Sequence, residues 1–104
     1  MMTKISKILD FIAQFREAGA TNCFKNGMCY WFAHILQTRF SDDSPVIVYA
    51  PVDNHFGCMI EDYVFDIEGD VTFQHEWVLW DAYQTIDPLH AARLYRDCVY
   101  KERN

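Results

Sequence analysis

The segment that decides the fold is residues 55–67, HFGCMIEDYVFDI. Two runs rich in strand-forming residues flank a short polar step at residues 61–62, which predicts an antiparallel β-hairpin with a two-residue turn. In that register the facing pairs are all apolar: Ile60/Tyr63, Cys58/Phe65 and Phe56/Ile67. Because side chains alternate between the two faces of a strand, a slip of one residue would break this pattern.

The other face of the predicted hairpin carries polar groups near its open end. His55 lies opposite Glu68 in this register and diagonal to Asp66. Diagonal neighbours on paired strands are close enough for long side chains to touch. The hairpin therefore predicts a contact between the His55 imidazole and a carboxylate, with Asp66 and Glu68 as the two candidates.

Two helices are predicted before the hairpin. Apolar residues spaced three and four apart indicate a helix over residues 4–18, ended by Gly19. The same spacing indicates a second helix over residues 29–40. A polar loop over residues 21–27 is expected between the two helices.

The remaining elements are shorter. Residues 46–49 are typical of a strand, whereas residues 71–75 fit either a third hairpin strand or a loop. Residues 77–83 suggest a helical turn rich in aromatic side chains. Asp87-Pro88 then pairs a cap residue with proline at the first helical position, which predicts a C-terminal helix to about residue 100.

The predicted fold class is α+β, with N-terminal helices packed on a small antiparallel sheet and a C-terminal helix. A chain of 104 residues has room for one core, so we expect a single domain over residues 1–104. Hydrophobic residues make up 51% of the chain, enough for a core that needs no metal or disulfide.

The charge is concentrated in the second half of the chain. The net charge is −6, and residues 53–87 contain nine acidic residues but no Lys or Arg. Such a surface repels phosphate, so nucleic acid is not an expected partner. A solvated acidic face accounts for the pattern by itself, and a cationic peptide or protein partner would suit it.

The four cysteines are expected to be reduced. No signal peptide and no apolar run of membrane-spanning length is visible, which favours the cytoplasm and no membrane partner. No cofactor is expected. Zinc is an alternative, because His55, Cys58, Cys23 and Cys29 would supply four ligands, but His55 and Cys58 face opposite sides of the predicted strand.

Cys29 is the candidate nucleophile. It opens the second predicted helix, where unpaired N–H groups and the helix dipole stabilise a thiolate. His55 would then act as base and later as acid, and Asp66 would orient the imidazole, with Glu68 as the alternative orienter. The Cys29 N–H would bind the oxyanion, with the side-chain amide of Asn22 or Asn26 as the second donor.

The stretch GMCYWFA at residues 27–33, followed by a strand with His55 and a partner strand with Asp66, resembles the papain-like superfamily. The resemblance covers about residues 20–70 and is closest to small branches with Cys-His-Asp order, such as transglutaminase-like and cell-wall-hydrolase-like domains. It implies a papain-like core and a hydrolase or acyltransferase acting on an amide, isopeptide or thioester bond of a peptide or protein. The glutamine that precedes the papain nucleophile has no counterpart here.

Two other interpretations remain open. A cysteine in an aromatic-rich helix is commonly a small core residue, and Cys29 would then have no chemical role. The chain would in that case be a non-catalytic interaction module, such as a small bacterial or phage effector that binds a basic partner through its acidic half. A homodimer is possible as well, with Trp77, Trp80 and Tyr83 as candidate interface residues, although core packing explains these three side chains equally well.

Overall fold

The structure, a computed structural model, describes residues 3–25 and 28–100, except the side chains of residues 23, 25 and 98–100. The helices are α1 Lys4–Glu17, α2 Thr21–Lys25, α3 Cys29–Arg39, α4 Trp80–Ile86 and α5 Pro88–Leu94, the last continuing as a π-helical segment, Tyr95–Tyr100. The strands are β1 Val46–Ala50, β2 His55–Ile60, β3 Tyr63–Asp66, β4 Gly69–Asp70 and β5 Val78–Leu79.

The strands form one antiparallel sheet in the order β4-β3-β2-β1-β5, which places β2 at its centre. The predicted hairpin register is confirmed, since Ile60 pairs with Tyr63 and Cys58 with Phe65. Glu61 makes the turn with a φ of 58°. The predicted α+β class, with helices on a small antiparallel sheet, is therefore correct.

The main core lies between the helices and one face of the sheet. Ile8 and Ile12 of α1 and Phe32 and Leu36 of α3 are almost completely buried there. They meet the apolar face of the hairpin, whose buried members are Phe56, Cys58, Ile60, Phe65 and Ile67. This packing fixes the start of α3 against β2, because both elements contribute to the same cluster.

Several predicted elements differ in the structure. Residues 21–25 form a helix where a polar loop was predicted. Of the two alternatives for residues 71–75, the structure has the loop, which continues to residue 77. The strand β5, which precedes α4, was not predicted because it pairs with β1 from about 30 positions away and leaves no local pattern. Trp80 and Tyr83 are buried in the core, so they are not the exposed dimer surface that the sequence suggested.

The second face of the sheet is also covered. Val48, Val64 and Val71 form a small cluster there, with Met59 and Trp77 packed against it. The hairpin therefore has an apolar contact on each face, rather than one buried and one polar face. The turns of residues 71–77 provide this cover, which a two-residue alternation alone does not predict.

Gly57 allows this second face to close. A Cβ at position 57 would lie 2.7 Å from Val64 Cγ1 and 3.2 Å from Trp77 Cη2. We expect Gly57→Ala to lower the free energy of unfolding by about 2 kcal/mol, as measured by urea denaturation, because the added methyl group overpacks this layer. Val64→Ala removes the blocking methyl groups, so Gly57→Ala should cost clearly less in that background. An equal cost in both backgrounds would contradict the steric explanation.

Candidate functional site

His55 is held at the start of β2 by the loop that precedes it. Asn54 adopts a left-handed conformation with a φ of 50°, which asparagine tolerates better than most residues. The buried Tyr49 donates its hydroxyl hydrogen to Asn54 Oδ1 over 2.6 Å. This hydrogen bond attaches the loop to the core one residue before His55. The backbone that carries the His55 imidazole is therefore held in place.

The His55 ring is bonded to Asp66. Nε2 of His55 lies 2.7 Å from Asp66 Oδ2 and donates to it, since an ionised carboxylate only accepts. The other oxygen of Asp66 accepts the backbone N–H of Glu68 over 2.7 Å. Asp66 is only 5% exposed, and both of its oxygens are occupied, so its orientation is fixed.

Of the two candidate orienters, the structure places Asp66 on the ring. The Glu68 side chain is exposed, and the hydrogen bond that Glu68 makes to this site comes from its backbone N–H. Glu68 therefore helps to orient the carboxylate that meets His55.

Cys29 joins the same group of side chains. It is the first residue of α3, it is 8% exposed, and its interaction with the His55 ring raises the pKa of that histidine. Since Nε2 is directed at Asp66, Nδ1 is the ring nitrogen left for the sulfur. The three residues proposed from the sequence are thus brought together in the order thiol, imidazole, carboxylate.

The surroundings of His55 favour its charged form. Burial of the ring lowers its pKa, but hydrogen-bonding and electrostatic interactions with Asp66 and Cys29 act the other way. The net effect raises the pKa of His55 from 6.5 to about 9. An imidazolium at neutral pH stabilises a neighbouring thiolate, which is the reactive form of cysteine.

A second histidine–carboxylate pair lies against the first. His75 Nδ1 donates to Asp53 Oδ2 over 2.6 Å, and the His75 and His55 ring centroids are 5.4 Å apart. Trp77 packs near both rings, with its centroid 6.0 Å from His55 and 5.0 Å from His75. No sequence pattern indicates the His75–Asp53 pair, because the two residues are 22 positions apart and no repeat links the two turns.

The other predicted residues lie around this group. Asn22 is on α2 with an exposed side chain, and Asn26 lies outside the described residues, so neither oxyanion assignment goes beyond a prediction. Cys58 is fully buried in the core as expected, and burial raises its pKa to about 12. His90, for which the sequence suggested no partner, shares a 2.6 Å hydrogen bond with the Tyr83 hydroxyl.

The zinc alternative requires a convergence of ligands. Within residues 3–25 and 28–100, no three His, Cys, Asp or Glu side chains are grouped so as to hold a metal ion. Cys23, one of the four suggested ligands, has its side chain outside this description.

In the described part of the chain, no helix combines the length and the apolar character that crossing a membrane requires.

Comparison with known families identifies the group to which the chain belongs. A family model described as phage YunG-like protein matches residues 5–100, which include all of the elements described above except Lys4, the first residue of α1. The chain belongs to the phage YunG-like family. No curated protein and no solved structure matches it. Membership in the phage YunG-like family is compatible with the bacterial or phage origin suggested by the sequence.

Proposed function

We propose that the chain is a cysteine-dependent hydrolase or acyltransferase acting on an amide, isopeptide or thioester bond of a peptide or protein. The observation that carries the proposal is the His55 ring, which meets the Cys29 thiol on one side and the Asp66 carboxylate on the other. The start of a helix, an adjacent imidazole and a carboxylate that orients it are the features that activate a cysteine for acyl transfer.

In the proposed reaction, Cys29 is the nucleophile and His55 transfers the protons. His55 takes the thiol proton, the Cys29 sulfur forms a bond to the substrate carbonyl carbon, and the carbonyl electron pair moves to oxygen. Collapse of this adduct breaks the bond to the leaving group, which takes the proton from His55 and leaves a thioester on Cys29. Water or an amine then attacks the thioester, with His55 accepting its proton, and the sulfur departs as the thiolate.

The negative oxygen formed in the first step requires donors. The first N–H groups of a helix have no partner within that helix, and Cys29 occupies this position in α3. Its own N–H is therefore the first oxyanion donor in the proposal, and Asn22 on α2 is the side chain proposed as the second. Asp66 keeps the His55 proton on Nε2, so that Nδ1 is free to exchange a proton with sulfur.

The arrangement also supports a relation to papain-like enzymes as part of this proposal. In the chain, the nucleophile begins a helix that packs on a central antiparallel strand, and the base and orienter lie on that strand and its neighbour. A cytoplasmic location follows from the reduced thiol that the chemistry needs.

The direct test is alkylation of the folded protein with iodoacetamide from pH 5 to 10, with the labelled cysteine identified by mass spectrometry. We expect Cys29 to be labelled before Cys58, which serves as the buried internal control. His55→Gln should slow Cys29 labelling at pH 7 by roughly 10-fold or more, because the imidazolium beside the sulfur is gone.

Circular dichroism and urea denaturation of His55→Gln establish that the variant is folded. If Cys29 of the parent protein stays unlabelled until the protein unfolds, Cys29 is a core residue and the enzymatic proposal fails. The matched variant Cys29→Ser should fold and lose the label at that peptide.

The second candidate function is a non-catalytic interaction module. It is favoured by the acidic charge of residues 53–87, which lack Lys and Arg. Binding of a basic partner through this region would weaken as salt rises and would be unchanged in Cys29→Ala. The two functions therefore separate on one variant, since the enzymatic proposal requires that Cys29→Ala abolish turnover.

A further inference from the structure

A small open cleft lies beside the proposed catalytic group. It has a volume of about 280 Å³, and its lining residues come from the loop before β2 and from the turns after β4: Val52, Asp53, Phe73, Gln74, His75 and Glu76. Neither segment belongs to the cysteine chemistry described above. The cleft is therefore a separate feature of the surface that needs its own explanation.

The cleft is linked to His55 by one side chain. His75 lines the cleft, and its ring lies 5.4 Å from the His55 ring, with Trp77 packed near both. The connection along the chain is also short, since Asp53 is only two residues before His55. A group bound in the cleft would thus lie next to the base that serves Cys29.

The walls of the cleft combine apolar surface with negative charge. Phe73 is 96% exposed and Val52 is 84% exposed, so both present apolar surface to a ligand in the cleft. Glu76 is exposed on the same rim, and the Asp53 carboxylate, paired with His75, is about half exposed. No Lys or Arg lies between residues 40 and 92 to neutralise these acids.

This combination matches one type of amino-acid side chain. Lys and Arg carry a long aliphatic stem that packs on apolar surface and a cationic head that stays near water. An aromatic face such as that of Phe73 attracts the same cation, and Glu76 provides an opposite charge at the rim. A purely apolar ligand would leave the carboxylate unmatched, and an acidic ligand would be repelled by it.

We propose that this cleft is a substrate subsite that takes a Lys or Arg side chain of a peptide or protein next to the bond attacked by Cys29. The inference rests on the proposed cysteine chemistry and names the class of substrate for it. Val52 and Phe73 contact the aliphatic stem, and Glu76 pairs with the charged head. The acidic half of the chain then attracts basic segments toward the site.

The experiment uses three peptidyl chloromethyl ketones that differ at one position, which is Lys, norleucine or Glu. Their second-order rates of reaction with Cys29 are compared within each protein. We expect Lys to react roughly 10-fold faster than norleucine at low salt, and Glu to react slowest. Iodoacetamide, which has no side chain to recognise, measures the thiol chemistry separately.

Two variants locate the preference. Glu76→Gln should reduce the Lys-to-norleucine ratio several-fold, because the opposite charge at the rim is gone. Asp62→Asn removes an exposed carboxylate from the turn at the far end of the hairpin and should leave the ratio unchanged. Equal rates for the three ketones, with Cys29 still labelled by iodoacetamide, would overturn the subsite and leave the enzymatic proposal standing.

A binding measurement tests the subsite without any chemistry. Cys29→Ala protein is titrated with acetyl-Ala-Lys-Ala-amide and with its norleucine counterpart, and backbone amide shifts are followed by NMR. Shifts at residues 52–53 and 73–76 that are larger for the Lys peptide support the subsite even if Cys29 proves unreactive. Shifts that are absent there, or equal for the two peptides, overturn it.

Discussion

Replacing Asp66 by asparagine should slow the alkylation of Cys29 at pH 7 by about 100-fold while leaving the protein folded. The effect is large because the carboxylate that orients the histidine is lost. The side chain keeps its size, so packing around it is preserved. The substitution changes the hydrogen bonding of the His55 ring. It thereby changes whether the ring nitrogen that faces the thiol can accept a proton.

The reason lies in the two hydrogen bonds of Asp66. One oxygen accepts the Glu68 N–H and the other accepts His55 Nε2–H. An asparagine that keeps the first bond presents its NH₂ group to Nε2, which must then accept. The ring proton moves to Nδ1, the nitrogen that faces Cys29, and the imidazole can no longer take the thiol proton there.

The control for this prediction is Glu68→Gln. It removes the charge of the alternative orienter but keeps the backbone N–H that Asp66 accepts. We expect less than about a 2-fold change in the Cys29 rate, because exposed charges contribute little. Proton–nitrogen correlation spectra of the His55 ring report which nitrogen is protonated in each variant. A large loss in Glu68→Gln with none in Asp66→Asn would reverse the roles of the two carboxylates.

The parts of the site that could be predicted from the sequence depend on short-range periodicity. Alternation of apolar residues fixes the hairpin register, and that register brings His55 near Asp66. The start of a helix at Cys29 follows from the spacing of apolar residues in α3. That His55 would reach the thiol was a hypothesis based on chemistry, since no pattern joins residues 26 positions apart.

The second histidine pair and the covered second face were outside the reach of such patterns. Asp53 and His75 meet through two turns, and the strands β4 and β5 have two residues each. Elements this short have almost no intrinsic preference, and pairing across the fold decides them. The cleft between the two turns therefore became visible only in the folded chain.

The stability of the folded chain should fall by at most about 3 kcal/mol between pH 6.5 and pH 9, because the free-energy equivalent of the full shift in the His55 pKa is the upper limit of the change. That pKa is raised from 6.5 to about 9, because the hydrogen bonds to Asp66 and Cys29 outweigh the burial of the ring. Below pH 6.5 the ring is protonated in both folded and unfolded chains, so its full contribution is present. As pH rises toward 9 the unfolded chain loses this proton first, and the contribution is lost.

The pH window separates His55 from the other shifted groups. Burial raises the pKa of Cys58 from 9.0 to about 12, so its contribution is lost only above pH 9. Burial and the charge of Asp87 raise the pKa of Tyr83 above 10.0, and hydrogen bonds to Asp43 and Glu61 raise that of Lys4 above 10.5. Of these four groups, only the His55 ring accounts for a fall between pH 6.5 and pH 9.

Urea denaturation at pH 6.5, 7.5 and 9, at constant ionic strength, measures this fall directly. His55→Gln should flatten it, since the residue that binds the extra proton is gone. His34→Gln, on the exposed side of α3, removes a histidine outside the site and should retain it. If the parent protein is equally stable at pH 6.5 and 9, the folded state gains no net proton at His55 and Cys29 taken together. The same series in Cys29→Ser, which removes the thiol that can give its proton to the ring, then decides whether His55 itself holds an extra proton in the folded state.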